Sequence, residues 1–256
     1  MRASFYHRFV VGALITLLSV PVLATLLYSV ASHWGATVLP DGLSLVWYIK
    51  LWQDARFITA FGHSVLVATA TLLLSTLLVV PATFVVFYYF PKLDRWMNIL
   101  LLIQFAVPPV VSSVGLLQIY ADGPIPIIGT PWVLIGCYFT IVLPFMYRAI
   151  TSGLQGLNVR DLMDAAHLLG ASSTEAFLRV ILPNIRKGLM ASLFLSFSFL
   201  LGEFVFANML VGNRYETLNV YLYTMRQKSG HFTSAIVMSY FMFTLAVTWI
   251  ATRLSR

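Results

Sequence analysis

The chain has 256 residues, of which 59% are apolar and 10% charged. A soluble domain carries roughly 25% charged residues, so this composition excludes an ordinary soluble fold and predicts an all-α membrane protein. At ~20 apolar residues per helical crossing, the length allows about six or seven spans joined by short loops. The formal net charge is +7, but no lysine- or arginine-rich run accompanies it, which argues against nucleic acid as a partner. The single cysteine, Cys137, lies in an apolar run and reads as a small buried residue. One cysteine makes neither an internal disulfide nor a cysteine metal cluster.

In chain order, a basic start (Arg2, Arg8) leads into a first span over residues 9–31. The run is long for a cleavable signal, and Ser29-Val30-Ala31 is a poor cleavage site, so a retained span is expected. Residues 32–60 are mixed in polarity and carry Trp34, Trp47, Tyr48 and Trp52. Such aromatics suit a membrane interface, and an external loop with a short interfacial helix is expected. The second span covers 61–90 and is long enough to tilt. The third, 97–120, contains Pro108-Pro109, which must break or kink it. A break at that depth is tolerated where it faces protein or a water-lined cavity. A turn-rich external loop at 121–131 precedes the fourth span, 132–152, which contains Pro144. The fifth span is expected at 188–211 and the sixth at 232–252, separated by a polar external loop. No repeat, low-complexity tract or soluble domain interrupts this single membrane domain over residues 1–256.

Between the fourth and fifth spans, residues 158–183 are polar enough to leave the lipid. Asn158 is a good N-cap with Asp161 three residues on, and Gly170 suits the left-handed residue that ends a helix. Ser172 and Glu175 have the spacing of a capping box for a second helix, which Pro183 is expected to end. Leu162, Ala165, Ala166 and Leu169 are spaced for one face of the first helix. Ala176, Phe177, Val180 and Ile181 are spaced for one face of the second. The pattern predicts a bent helical hairpin, lying on the membrane or docking another protein.

Six spans place both termini on one side. Eleven of the lysines and arginines then fall on that side and five on the other. The positive bias makes the first side cytoplasmic, and the hairpin with it.

No nucleotide-phosphate loop, zinc-protease motif or nucleophile turn is present. The five histidines lie far apart in this topology. Glu203 stands out, because a carboxylate inside a span costs roughly 2.5–3.5 kcal/mol and such residues usually face a bundle interior or a water-filled path. Glu203, with Gln104 or Asn208, reads as lining a path for a polar solute, or as an interhelical hydrogen bond. An intramembrane lipid-modifying enzyme using Glu203 and a histidine is the alternative from a different class.

The string Asp164-Ala165-Ala166-x-x-x-Gly170, nine residues, then Val180-Ile181-Leu182-Pro183 resembles the EAA loop of ABC-importer permeases, E-A-A-x(3)-G-x(9)-I-x-L-P. Side of the membrane and place between the fourth and fifth of six spans agree with that family. Trp47-Tyr48, His63-Ser64 and the segment around Pro144 look most like its spermidine/putrescine branch, which has aminoethylphosphonate, thiamine and iron relatives.

The resemblance implies a non-catalytic subunit of a bacterial inner-membrane importer, with no cofactor of its own. It implies four kinds of partner: a cytoplasmic ATPase dimer, a second permease subunit, a periplasmic or lipid-anchored solute-binding protein, and membrane lipids. Asp164, Ala165, Ala166, His167, Leu168 and Gly170 would be the ATPase-coupling residues. Two departures matter. Asp164 stands where the family usually has Glu. Only one acid, Glu203, stands where polyamine permeases tend to carry two, and Leu201-Gly202-Glu203-Phe204 resembles other branches, including the aminoethylphosphonate permeases.

Overall fold

The structure, a computed structural model, describes residues 2–254 except 36, 38 and 122, with only the backbone given at 2–5, 251, 252 and 254. Arg256, one of the eleven basic residues assigned to the cytoplasmic side, lies outside the described residues, as does Asp122 of the 121–131 loop. Among the described residues there are no strands. One isolated antiparallel bridge joins Ala31 and Leu43.

The helices are α1 (Arg2–Val30), α2 (Val46–Gln53), α3 (Ala55–Tyr89), α4 (Asp94–Ala106), α5 (Pro109–Tyr120), α6 (Pro131–Gln155) and α7 (Val159–Leu168). They continue with α8 (Ser173–Leu201), α9 (Leu218–Met225) and α10 (Gly230–Leu254). Five of these are long and apolar enough to cross a membrane, and α4 with α5 makes a sixth if the bent pair is one span.

By contacts the chain divides into two units, Met1–Thr59 with Tyr221–Leu245, and Ala60–Val220 with Ala246–Arg256. In the first, the interfacial aromatics are bonded to their neighbours rather than left loose. Trp47 Nε1 donates to the Ala31 carbonyl at 2.9 Å, and Tyr48 shares a 2.7 Å hydrogen bond with Ser29. The His231 ring stacks on Tyr28 at 4.1 Å and on Trp47 at 5.7 Å. Asp54 caps α3 by accepting from Arg56 N at 2.8 Å, and Tyr221 donates to its other oxygen at 2.6 Å. The 212–231 segment, read from sequence as loop, contains α9, whose Leu218, Val220 and Tyr221 are buried.

The second unit holds the rest of the core. Here α6 and α8 pack along each other, Gly153 letting the helices approach where Ile185 meets it. Tyr147 on α6 donates to Asp94 Oδ1 at 2.6 Å, tying α6 to the start of α4. The adjacent pair His63-Ser64 on α3 holds the 215–218 turn. The His63 ring stacks on Tyr215 at 3.8 Å, and Ser64 accepts from Leu218 N at 2.8 Å.

Three expectations are corrected. Pro183 does not end the second hairpin helix: α8 runs from Ser173 through Pro183 to Leu201. A π-turn at Phe177–Ile181 precedes the proline, with Leu182 N donating to Phe177 O. The widened turn absorbs the missing N–H and the clash that would otherwise break the helix. The stretch expected as one fifth span, 188–211, is interrupted at 202–204, after which a short helical segment covers 205–211. The buried face of α7 is Val159, Met163 and Ala166, while Ala165 and Leu169 are exposed and Leu162 half-buried. The apolar spacing was right in period but rotated, because Leu168 and Leu169 point out of the protein.

Candidate functional site

Two spans are broken beside one cavity. The first break arises from Pro108-Pro109: Pro108 is extended (φ −60°, ψ 142°), and Pro109 starts α5. There its missing N–H costs nothing, since the first amides of a helix have no partner. The axis turns by 88° between Pro91–Ala106 and Pro109–Tyr120. The second break is at Gly202–Phe204. Between them, with one face of α6, lies a cavity of about 1070 Å³. Its wall is mostly aromatic and aliphatic, and its polar side chains include Gln104, Ser112, Thr140, Ser198 and Glu203.

Glu203 sits at the second break and is hydrogen-bonded on both carboxylate oxygens. Oε1 accepts from Phe206 N at 2.8 Å, and Oε2 accepts from Ala207 N at 3.2 Å and from the Tyr138 hydroxyl at 3.0 Å. The first two bonds cap the 205–211 segment, whose early amides have no helical partner. Asn219 closes the other side by donating to the carbonyls of Leu201 at 2.8 Å and Glu203 at 3.1 Å. The interruption therefore leaves none of these groups orphaned in an apolar setting, which is the condition for irregular backbone inside a membrane. Gln104 lies across the same cavity, its Nε2 buried without a hydrogen-bond partner. Asn208 is exposed and not part of this wall. The structure thus brings Gln104 and Glu203 to one cavity and leaves Asn208 out.

The hairpin is built as its sequence dictates. The Asn158 side chain accepts from Asp161 N. Gly170 has φ +85°, the left-handed conformation that favours glycine. Gly170 N donates to His167 O at 2.9 Å and Ala171 N to Ala166 O at 3.0 Å, a pair of bonds that closes the end of α7. The capping box is complete: Glu175 N donates to Ser172 Oγ at 3.3 Å, and Ser172 N to Glu175 Oε2 at 3.0 Å. His167 and Ser173 share a 3.2 Å hydrogen bond across the joint, and Phe177 packs on Phe84 of α3 at 4.6 Å. Of the residues singled out on α7, Asp164, Ala165, His167 and Leu168 are exposed, as is Gly170, while Ala166 is buried inside the hairpin. Leu168 and Leu169 are each 89% exposed.

Sequence reasoning missed Tyr138 and Asn219. A tyrosine in an apolar run carries no signal of its own, and an asparagine in a polar stretch reads as loop. Only the break at 202–204 creates the need for both. Among the described residues no group of histidine, cysteine, aspartate or glutamate could hold a metal ion.

A multi-helical membrane protein with a polar-studded cavity between interrupted spans has the architecture of a transport subunit. The chain belongs to the family of binding-protein-dependent transport system inner membrane components, whose profile matches residues 79–256. Among relatives, it is 25% identical over 210 residues to a Salmonella typhimurium protein named as a putative 2-aminoethylphosphonate transport system permease, PhnV; the match covers 82% of this chain and 78% of that one. It is 26% identical over 188 residues to the spermidine/putrescine transport system permease protein PotC of Escherichia coli K12, covering 72% and 69%. A solved structure described as a bacterial ABC transporter involved in the import of the acidic polysaccharide alginate shares the fold. Its TM-score is 0.75 at 13% identity, over 98% of this chain and 95% of that one. The protein is accordingly a non-catalytic, multi-pass permease subunit of an ABC transporter, and the enzyme alternative falls with that membership.

Proposed function

We propose that this chain forms half of the membrane path of an ATP-driven importer in a bacterial inner (plasma) membrane and couples that path to a separate ATPase through residues 158–183. The hairpin faces the cytoplasm, with both termini on that side. The tip carries the coupling reading. Two leucines project from a turn whose backbone is fixed by caps and by the glycine. Burying each in a partner's groove is worth about 1.5–3 kcal/mol, and left in water they stabilise nothing. Asp164, Ala165, His167, Leu168 and Gly170 form the contact surface, and buried Ala166 sets its shape. A second permease subunit, a paralogue, completes the path, and a periplasmic or lipid-anchored binding protein delivers the solute. The cavity with Gln104 and Glu203 in its wall is this subunit's share of the path; Asn208, also expected on it, lies outside that wall. The solute is a small polar organic molecule, such as an aminoalkylphosphonate or a polyamine, a reading supported by relatives named for 2-aminoethylphosphonate and for spermidine/putrescine.

The test replaces both tip leucines, Leu168→Asp with Leu169→Asp, in a tagged chain recovered from native membranes. Because neither side chain packs inside the protein, membrane insertion is expected to be unchanged. Co-recovery of an ATP-binding cassette ATPase is expected to fall at least about tenfold, as loss of several kcal/mol of contact requires. Undiminished recovery overturns the coupling reading.

A further inference from the structure

We propose that Glu203 is a positioning residue, the clasp of a hinge in the interrupted span, and that its charge is held by the protein rather than offered to solute. The inference deepens the reading of the cavity as half of a path, and it rests on that reading only for its consequence.

The geometry points there from three sides. First, the carboxylate is already engaged on both oxygens, by two backbone amides and by the Tyr138 hydroxyl. A carboxylate with three donors on it has little left for a cation. Second, the donors come from different elements. Phe206 and Ala207 belong to the 205–211 segment and Tyr138 to α6, so the bonds join the far side of the break to a helix that is not interrupted. Third, Asn219 secures the carbonyls at the break from outside the cavity. Removing the carboxylate leaves two amides and a hydroxyl unsatisfied in an apolar wall, which is costly. The residues the clasp holds in place, Phe204, Val205 and Phe206, are cavity wall. Glu203 therefore sets the shape of the path through its neighbours. The other polar side chains of the wall, Gln104, Ser112, Thr140 and Ser198, are uncharged, so the cavity offers a solute neutral polar groups rather than a bare negative charge.

The chain carries its own reporter. Cys137, the only cysteine, precedes Tyr138 on α6, lines the cavity and is 8% exposed. The rate at which N-ethylmaleimide labels it in membranes, compared between chains of equal charge at position 203 (Glu203→Leu with Glu203→Gln, Asn219→Ala with wild type), reads how often the wall opens. Glu203→Leu, similar in bulk but unable to accept, is expected to raise that rate about tenfold, the size of losing its hydrogen bonds. Glu203→Gln keeps a carbonyl oxygen for the Phe206 amide and an amide that can donate to the Tyr138 hydroxyl, but sets a donor against the Ala207 amide, so its rate is expected between those of wild type and Glu203→Leu. Asn219→Ala, which leaves the carboxylate in place, is expected to rise as well. It serves as the second variant should Glu203→Leu fail to insert. Equal labelling of the Leu and Gln variants overturns the clasp, because then hydrogen bonding at this position makes no difference. Wild-type labelling of both Glu203→Leu and Asn219→Ala overturns it too. None of these readouts involves the ATPase, so failure of the coupling reading shows separately, in the co-recovery of the Leu168, Leu169 double variant.

Discussion

Gly153 on α6 meets Ile185 so closely that a Cβ built there would lie 3.2 Å from Ile185 Cγ2. An alanine asks only a few tenths of an ångström of the isoleucine, but a larger side chain has to part the helices. Gly153→Leu is expected to destabilise the protein by about 1–3 kcal/mol, seen as a lowered unfolding temperature in detergent, with Gly153→Ala close to wild type. At Ser172 the reciprocal cap predicts a smaller, local effect. Ser172→Ala is expected to cost about 1 kcal/mol, seen as faster amide exchange over residues 173–177 with exchange in α6 unchanged. These caps were legible in the sequence because they depend on spacing within one turn. The partners of Glu203 were not. Tyr138 is 65 residues away, and nothing in its local sequence says that a carboxylate will stand opposite it.

At the scale of elements, α8 shows where sequence reasoning stopped. Pro183 reads as a helix end, and by local rules it should be one. The π-turn at Phe177–Ile181 adds a residue to the turn before it and lets the helix continue. That solution depends on Ile181 and Ile185 being buried against the rest of the unit, which no local pattern reports. The proline is thus accommodated rather than required. Pro183→Ala is expected to leave helix content and the hairpin unchanged, by circular dichroism and by thiol access at a Leu168→Cys reporter. A collapse of either would make the proline the origin of the π-turn. The double-proline break was legible, since adjacent prolines leave the helix no alternative. The break at 202–204 was hidden, because Gly202 alone is tolerated in a membrane helix.

For the whole molecule, five of the six spans expected from apolar runs are helices long and apolar enough to cross a membrane, and the sixth depends on counting the bent pair as one span. Their direction rests on the distribution of basic residues. Sidedness is open to a direct test. With Cys137→Ser as background, a Leu168→Cys thiol is expected to react with a membrane-impermeant maleimide in inside-out vesicles and to stay unlabelled in intact cells. Labelling from outside the cell reverses the topology. The 29 residues of Ser173–Leu201 form one uninterrupted helix, about 43 Å long at 1.5 Å per residue. The exposed Leu168-Leu169 tip precedes its first turn, and the interruption at 202–204 comes directly after its last. A rod of that length tipped by about ten degrees carries its far end about 7 Å, more than the width of a side chain. Under the coupling and the clasp proposed above, a push on the hairpin travels along this rod to the break at 202–204, the first joint at which it can reshape the cavity.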